Sequence, residues 1–349
     1  MNNYPKTHYE ITDNFFKKEL SLHIDDIFKK LIIDIGDNPN YNDFSLYCMD
    51  NDILPFLVDD PYKSSITLNV FFHLYEMYVN HHRVYHVTSQ MASKLINTDL
   101  NIDSYFLRSP FPEIYIQINK GLLYIQDEEG LQSISGIYVN YGINKMGERE
   151  IRVMCAALLD DTKEIPFNDS LFYFRIPLKD GKIKDVLKNY MEEQFSTPSD
   201  DMVKSGGLLN RDHIEGLFKF VMNVLLYITS KNPDIKKCLP YDFGKEIARK
   251  KNKAKANKLL KRANMSTNLP IMVLGKDLAI NKDISDIRNK TGLVHWKLNQ
   301  KVYVSGHWKT QWYGSHKEDN RHYKIIFIEP YEKGPDLGEV IKKEYSIGK

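Results

Sequence analysis

The sequence predicts an α+β fold: a helical N-terminal region, a central antiparallel sheet with packed helices, and a β-rich aromatic C-terminal hairpin. Three observations carry this. Apolar residues recur at helical spacing through the first hundred positions. Polar–apolar alternation takes over near Pro110 and Pro112. Helical spacing returns after Gly181, and from Gly292 the chain turns aromatic and β-like. Strands grouped in a block, rather than alternating singly with helices, favour α+β over βαβ repeats. Three regions follow: 1–109, helical; 110–265, a central α+β core ending in a basic helix; and 266–349, β-rich.

Each element has its own warrant. Residues 25–35 place Ile27, Phe28, Leu31, Ile32 and Ile35 on one helical face. Residues 64–95 read as a long core helix opened by Pro61, with Phe71, Leu74, Tyr75, Tyr78 and Val79 at three- and four-residue spacing. Residues 113–118 alternate as a half-buried strand, and the turn at Asn119-Lys120-Gly121 predicts a hairpin with 122–125. Further strands are expected at 134–139, 149–158 and 171–176. Residues 183–195 form an amphipathic helix. A second helix, capped by Asn210 or Asp212, runs through Ile214, Leu217, Phe218, Val221, Leu225 and Ile228 until Asn232-Pro233 ends it. Residues 271–274 are a strand candidate, and 323–328 is the natural partner of a strand around 302–307.

Composition narrows the function classes. An apolar fraction of 42% and a charged fraction of 27% are those of a globular chain. Cys48, Cys155 and Cys238 form no CxxC pair, so they read as three buried thiols in a reducing compartment. Residues 1–8 lack a signal-peptide pattern, and 217–228 is too short and too polar to span a bilayer. A cytoplasmic protein with no membrane partner is expected. The net charge of +2 conceals a partition: −6 over residues 1–110, −5 over 111–235 and +13 over 236–349. A polyanionic or acidic partner could dock on that last third; alternatively it covers the acidic remainder. The densest run, 249–262, holds eight basic residues and no acid, and is helix-compatible. Its Arg249, Lys250, Lys251, Lys253, Lys255 and Lys258 are candidate nucleic-acid contacts; a solvated helix or linker is the plainer reading.

Catalytic fingerprints are weak. His82 and His86 stand at i,i+4 spacing but lack HExxH, so a polar helix end is preferred to a metal site. Ser205-Gly206-Gly207 fails the Walker pattern. No cofactor or metal is expected. The unusual segment is 294–316, which contains all three tryptophans, with Arg321 and His322 following. Three readings compete for it. It could be a binding platform, with Trp308, Trp312 and Tyr313 as planar surfaces and His307, Lys309 and Arg321 as donors. It could be an acid–base pair of His307 and His316 for metal-independent RNA cleavage. Or it could be an aromatic hairpin that seals the main body.

The run Gly306-His307-Trp308-x3-Trp312-x-Gly314, followed by a basic residue and a hydrophobic strand, resembles the C-terminal signature of the second type V-A anti-CRISPR family and its phage and plasmid homologues. Pro112-Glu113-Ile114-Tyr115-Ile116, Gly136-Ile137-Tyr138-Val139, Lys184-Asp185-Val186-Leu187 and Leu225-Leu226-Tyr227-Ile228 resemble that family's central strands and later helices, in the same order. The resemblance implies a non-enzymatic inhibitor that binds a target polypeptide, a nascent chain on the ribosome, and blocks production of a CRISPR effector. Two alternatives stand beside it: an RNA-binding protein or ribonuclease using the basic third, and a structural component of a mobile element.

Overall fold

The structure is a computed structural model that describes residues 7–37, 39–51, 53, 61–127, 130–144, 147–156, 172–196, 211–238, 247, 249–265, 271–276, 301–314, 322–333 and 340–341. The fold is α+β, built on a mixed seven-stranded sheet with helices on both faces. Four helices come first: α1 (His8–Leu20), α2 (Ile24–Ile35), α3 (Tyr41–Asp50) and α4 (Pro61–Val79). Thr7 caps α1 in a reciprocal box with Glu10, and Asn40 caps α3.

The 64–95 stretch is not one helix. Helix α4 stops at Val79, where Asn80 Nδ2 donates to the Glu76 carbonyl at 2.8 Å. His81 and His82 then adopt left-handed φ values of 60° and 50°, which turns the chain back on itself. Val84–Val87 follows as strand β1, and α5 (Ser89–Ile96) opens on a Thr88 cap. The β-branched pair Val84 and Val87 favours extended backbone once the helix has ended. His82 and His86 therefore share no helical face.

Strand β2 (Glu113–Gln117) runs parallel to β1 and antiparallel to β5 (Gly136–Ile143). With both edges occupied it cannot pair with the next strand. The hairpin expected between 113–118 and 122–125 is replaced by a separate one, β3 (Tyr124–Asp127) with β4 (Gly130–Ser133). Strand β5 pairs with β6 (Arg149–Ala156), and β6 with β7 (Phe172–Pro177), all antiparallel. On the other side of β1 lies β9 (Ile271–Leu274), parallel to it, and then β8 (Ile235–Cys238). Two long helices, α6 (Ile183–Ser196) and α7 (Arg211–Thr229), sit between β7 and β8 in sequence. Helix α8 (Lys253–Met265) separates β8 from β9.

Alternation along the strands builds two cores. Ile114, Ile116, Ile137, Val139, Ile151 and Val153 pack with α5, α6 and α7. Tyr115, Tyr138, Met154 and Val273 pack with the aromatic layer of α1–α4, including Phe16, Phe28, Phe44, Phe71 and Tyr75. Strand β2 is thus buried on both faces rather than half-buried, because helices cover both. Its Glu113 and Gln117 are fully buried and partnered: His73 Nδ1 lies 3.0 Å from Glu113 Oε1, and His86 Nδ1 lies 3.2 Å from Gln117 Oε1.

The C-terminal part forms two small sheets. Strands β10 (Lys301–Val304), β13 (Tyr331–Lys333) and β14 (Val340–Ile341) make one. Strands β11 (His307–Tyr313) and β12 (His322–Ile328) pair antiparallel in the other. Cys48 and Cys155 are buried, and burial pushes both thiols up, Cys48 to about 12. Cys238 is only half-buried, contrary to the expectation of three buried thiols; it sits on an outer strand of the sheet with Lys276 Nζ 3.2 Å from its sulfur. No helix among the described residues is long and apolar enough to cross a membrane.

Candidate functional site

The β11–β12 hairpin is fastened to the body at one end and open at the other. Fastening begins at Gly306, which forms a bridge with Thr98 and accepts a hydrogen bond from Asp99 N at 2.9 Å. A Cβ at Gly306 would lie 2.6 Å from Thr98 Oγ1 and 3.1 Å from Pro330 Cδ, so only glycine permits this approach. Trp308 is 8% exposed, and its Nε1 donates to Asn223 Oδ1 at 2.8 Å. Asn223, fully buried in α7, donates in turn to the Leu95 and Thr98 carbonyls at 2.9 and 3.1 Å. One amide therefore links α5, α7 and β11. The Trp308 ring rests on Phe327 at 5.1 Å, and Phe327 meets Tyr227 edge-on at 5.5 Å. Lys231 N donates to the Ile325 carbonyl at 3.0 Å, and Lys94 pairs with Glu329.

Farther along the same hairpin face, burial gives way to exposure. Trp312 is 47% exposed and Tyr323, its cross-strand partner, 36%. Their rings meet edge-on at 4.8 Å; Tyr323 meets Phe106 at 5.2 Å, and Phe106 meets Tyr105 at 5.9 Å. Tyr105, 53% exposed, carries the Arg108 guanidinium 4.8 Å above its ring. These four rings form a continuous ladder from the hairpin to the 3-10 turn at Ser104–Phe106. Beside it is a cleft of about 610 Å³, lined by Tyr105, Phe106 and Tyr323, by the end of α7, and by the cations Arg108, Lys231 and Lys324. No carboxylate is among the described residues that line it. Lys231 Nζ lies 4.2 Å from the Tyr313 ring centre and donates to the Tyr313 hydroxyl, while Tyr313 stacks on His322 at 5.8 Å.

The residues singled out from sequence are therefore divided. Trp308 is an anchor in the core. Trp312 faces solvent on the ladder. Tyr313 lies on the opposite face of β11 from Trp312, with His307 and the exposed Lys309. His307 is half-buried, with Nδ1 3.4 Å from the Ser305 carbonyl. Arg321, His316, Trp296 and Ser205-Gly206-Gly207 lie outside the described residues. Arg249, Lys250, Lys251, Lys253, Lys255 and Lys258 are all exposed, on and before α8. Tyr105, Phe106, Arg108, Tyr323, Lys231 and Lys324 were not singled out. The clump Tyr105-Phe106-Leu107-Arg108 was one available signal, and the lone amide Asn223 within an apolar helix was another.

A second polar cluster lies inside the fold, between α4 and the sheet. Glu76 is buried, and burial next to Glu113 raises its carboxyl to about 8. Glu113 is raised by burial, an effect opposed by His73. Arg152 pairs with Glu150 at 2.6 Å. His82 packs edge-on against Tyr9 at 4.3 Å, and burial lowers its imidazole to about 4. Among the described residues no group of three or more His, Cys, Asp or Glu side chains is placed to hold a metal ion.

The crystal structure of AcrVA2 matches with a TM-score of 0.52 at 14% identity, covering 94% of this chain and 99% of that one, a likeness of fold. No curated protein matches the chain. The model of the AcrVA2-like family, described as the anti-CRISPR type V subtype A2 family, matches residues 85–270. That span includes the stretches at 112–116, 136–139, 184–187 and 225–228, and it ends before Gly306, so the C-terminal motif is not part of the match. It runs from β1 through α8 and covers more than half of the chain, which therefore belongs to the anti-CRISPR type V subtype A2 family.

Proposed function

We propose that this protein blocks production of a type V CRISPR effector by binding a segment of that effector, as a nascent chain, along the aromatic ladder of the C-terminal hairpin. One observation carries the reading: Trp312, Tyr323 and Tyr105 are exposed in a row on a backing that is itself packed and hydrogen-bonded. Exposed aromatic side chains beside a cleft give large contact area at small cost in side-chain freedom, the property of interface hot spots. The latch of Trp308, Asn223 and Phe327 supports the ladder from below, so little order has to be gained on binding. Family membership supplies the target class.

The test is capture. The full-length protein, mixed with ribosomes stalled on the message of the effector, should retain the nascent chain, and co-expression should lower effector protein. Loss of both in a Trp312→Ala, Tyr323→Ala double variant that remains folded supports the ladder. Retention of both removes it from the account.

A further inference from the structure

We propose that α8 and the residues leading into it are a contact surface for the phosphodiester backbone of single-stranded RNA. This site is separate from the aromatic ladder and goes beyond target recognition. Asn252 caps the helix: its Oδ1 accepts from Ala254 N at 2.9 Å and Lys255 N at 3.4 Å. Arg249, Lys250, Lys251, Lys253, Lys255 and Lys258 are exposed, and among the described residues none of them pairs with a carboxylate. The helix has no substantial packing against another described element; over residues 253–260 only Ala256 and Leu259 are half-buried.

This arrangement works against the helix itself. Lys258 stands three or four positions from Lys255, Lys261 and Arg262, and like charges at those spacings weaken a helix. Lys253 lies in a first turn that contains no acid, the end where the helix dipole disfavours cations. A short helix with little packing has small reserves against such repulsion. A polyanion relieves it.

The chemistry of the surface selects the kind of polyanion. Protein interfaces are anchored by aromatic or large apolar residues. Among residues 249–260 there is no aromatic ring, and the large apolar side chains are the half-buried Leu259 and Leu260, 38% exposed, so an acidic protein would find much charge and little anchor. Lys255 and Lys258 point about 200° and about 140° round the axis from Lys253. A rigid duplex holds its phosphates at fixed positions and flanks several sides of a helix only when that helix is seated in a groove. A flexible single strand can reach several, and RNA is the abundant single-stranded phosphodiester in cells.

Fluorescence anisotropy of the full-length protein with labelled oligouridylate, across a range of salt, reads this directly. The logarithm of the affinity should fall linearly with the logarithm of salt, by about 0.7 for each phosphate neutralised. Changing Lys250, Lys251, Lys253 and Lys255 together to Gln should reduce that slope by about 3 and weaken binding roughly tenfold or more at low salt. The same four changes to Arg should preserve both. An unchanged slope in the Gln variant, or tighter binding of poly-glutamate or of duplex DNA than of oligouridylate to the unaltered protein, overturns the proposal. Equal binding of oligothymidylate keeps the backbone contact and overturns the assignment to RNA. The assay contains no effector, so its result is independent of nascent-chain capture.

Discussion

Replacing Asn223 with Leu tests the latch beneath the hairpin. The substitution keeps side-chain volume but removes one acceptor and two donors. Trp308 Nε1 then has no partner inside a site that is 8% exposed. The Thr98 carbonyl loses its bond as well, while the Leu95 carbonyl still accepts from Thr98 N at 3.1 Å. Two buried polar groups are therefore left unpaired, at about 1–3 kcal/mol each. The expected destabilisation is about 2–6 kcal/mol. Urea unfolding followed by far-ultraviolet circular dichroism and tryptophan fluorescence measures it. Trp308→Phe removes the donor from the other side. In the Asn223→Leu background it should cost about 1–2 kcal/mol less than in the parent, the coupling expected of groups in direct contact. If Asn223→Leu costs under about 0.5 kcal/mol, or the two changes simply add, the latch contributes nothing and the account of a pre-supported hairpin is wrong.

Other outcomes follow from the same geometry. Gly306→Ala forces a Cβ to within 2.6 Å of Thr98 Oγ1, which is itself held by the Lys94 carbonyl at 2.7 Å, and should destabilise by about 1–3 kcal/mol in the same unfolding assay. Two buried groups pull stability in opposite directions with pH, and they oppose each other between about 4.5 and about 6.5. Glu76 is raised to about 8, so the native state holds its proton more tightly than the unfolded chain, and that contribution is lost as pH rises from the ordinary carboxylate range through about 8. Asn80 Nδ2 is 3.4 Å from Glu76 Oε2, a contact glutamine can keep; Glu76→Gln should remove that fall, roughly 4 kcal/mol between about pH 4.5 and about 8. His82 is lowered to about 4, so its contribution is present above about 6.5 and lost as pH falls towards 4. Parent and Glu76→Gln unfolding free energies that differ by a constant from pH 4 to 9 contradict the Glu76 assignment.

Much of the fold was legible where one face of an element decides its pattern. Helices α2 and α6 each bury a single apolar side, and their periodicity places them to within a residue or two; α7, buried on every side from Phe220 to Tyr227, was legible from its long apolar run and its Asn232-Pro233 stop. The turn at Asn144 likewise announces the β5–β6 pair. Legibility failed where burial comes from both sides. Glu113, Tyr115 and Gln117 read as a solvent face because sequence cannot show that α4 lies over them. Strand β1 was hidden in the apolar tail of α4, and only the left-handed pair His81 and His82 marks the break. The candidate site was half legible for a related reason. Two tryptophans four residues apart look equivalent in sequence, yet the partner of Trp308 is an amide 85 positions upstream, and that contact separates anchor from platform. Tyr105, Phe106 and Arg108 join the site through the fold alone.

The most direct test of the central claim compares the folded Trp312→Ala, Tyr323→Ala variant with the parent for capture of the nascent effector chain. Both rings are partly exposed, and losing their edge-on contacts should cost about 1–3 kcal/mol, a change that urea unfolding reads separately from capture. Capture should be lost, and with it the block on effector production. Full capture by the folded variant would contradict the account and move target recognition away from the aromatic ladder.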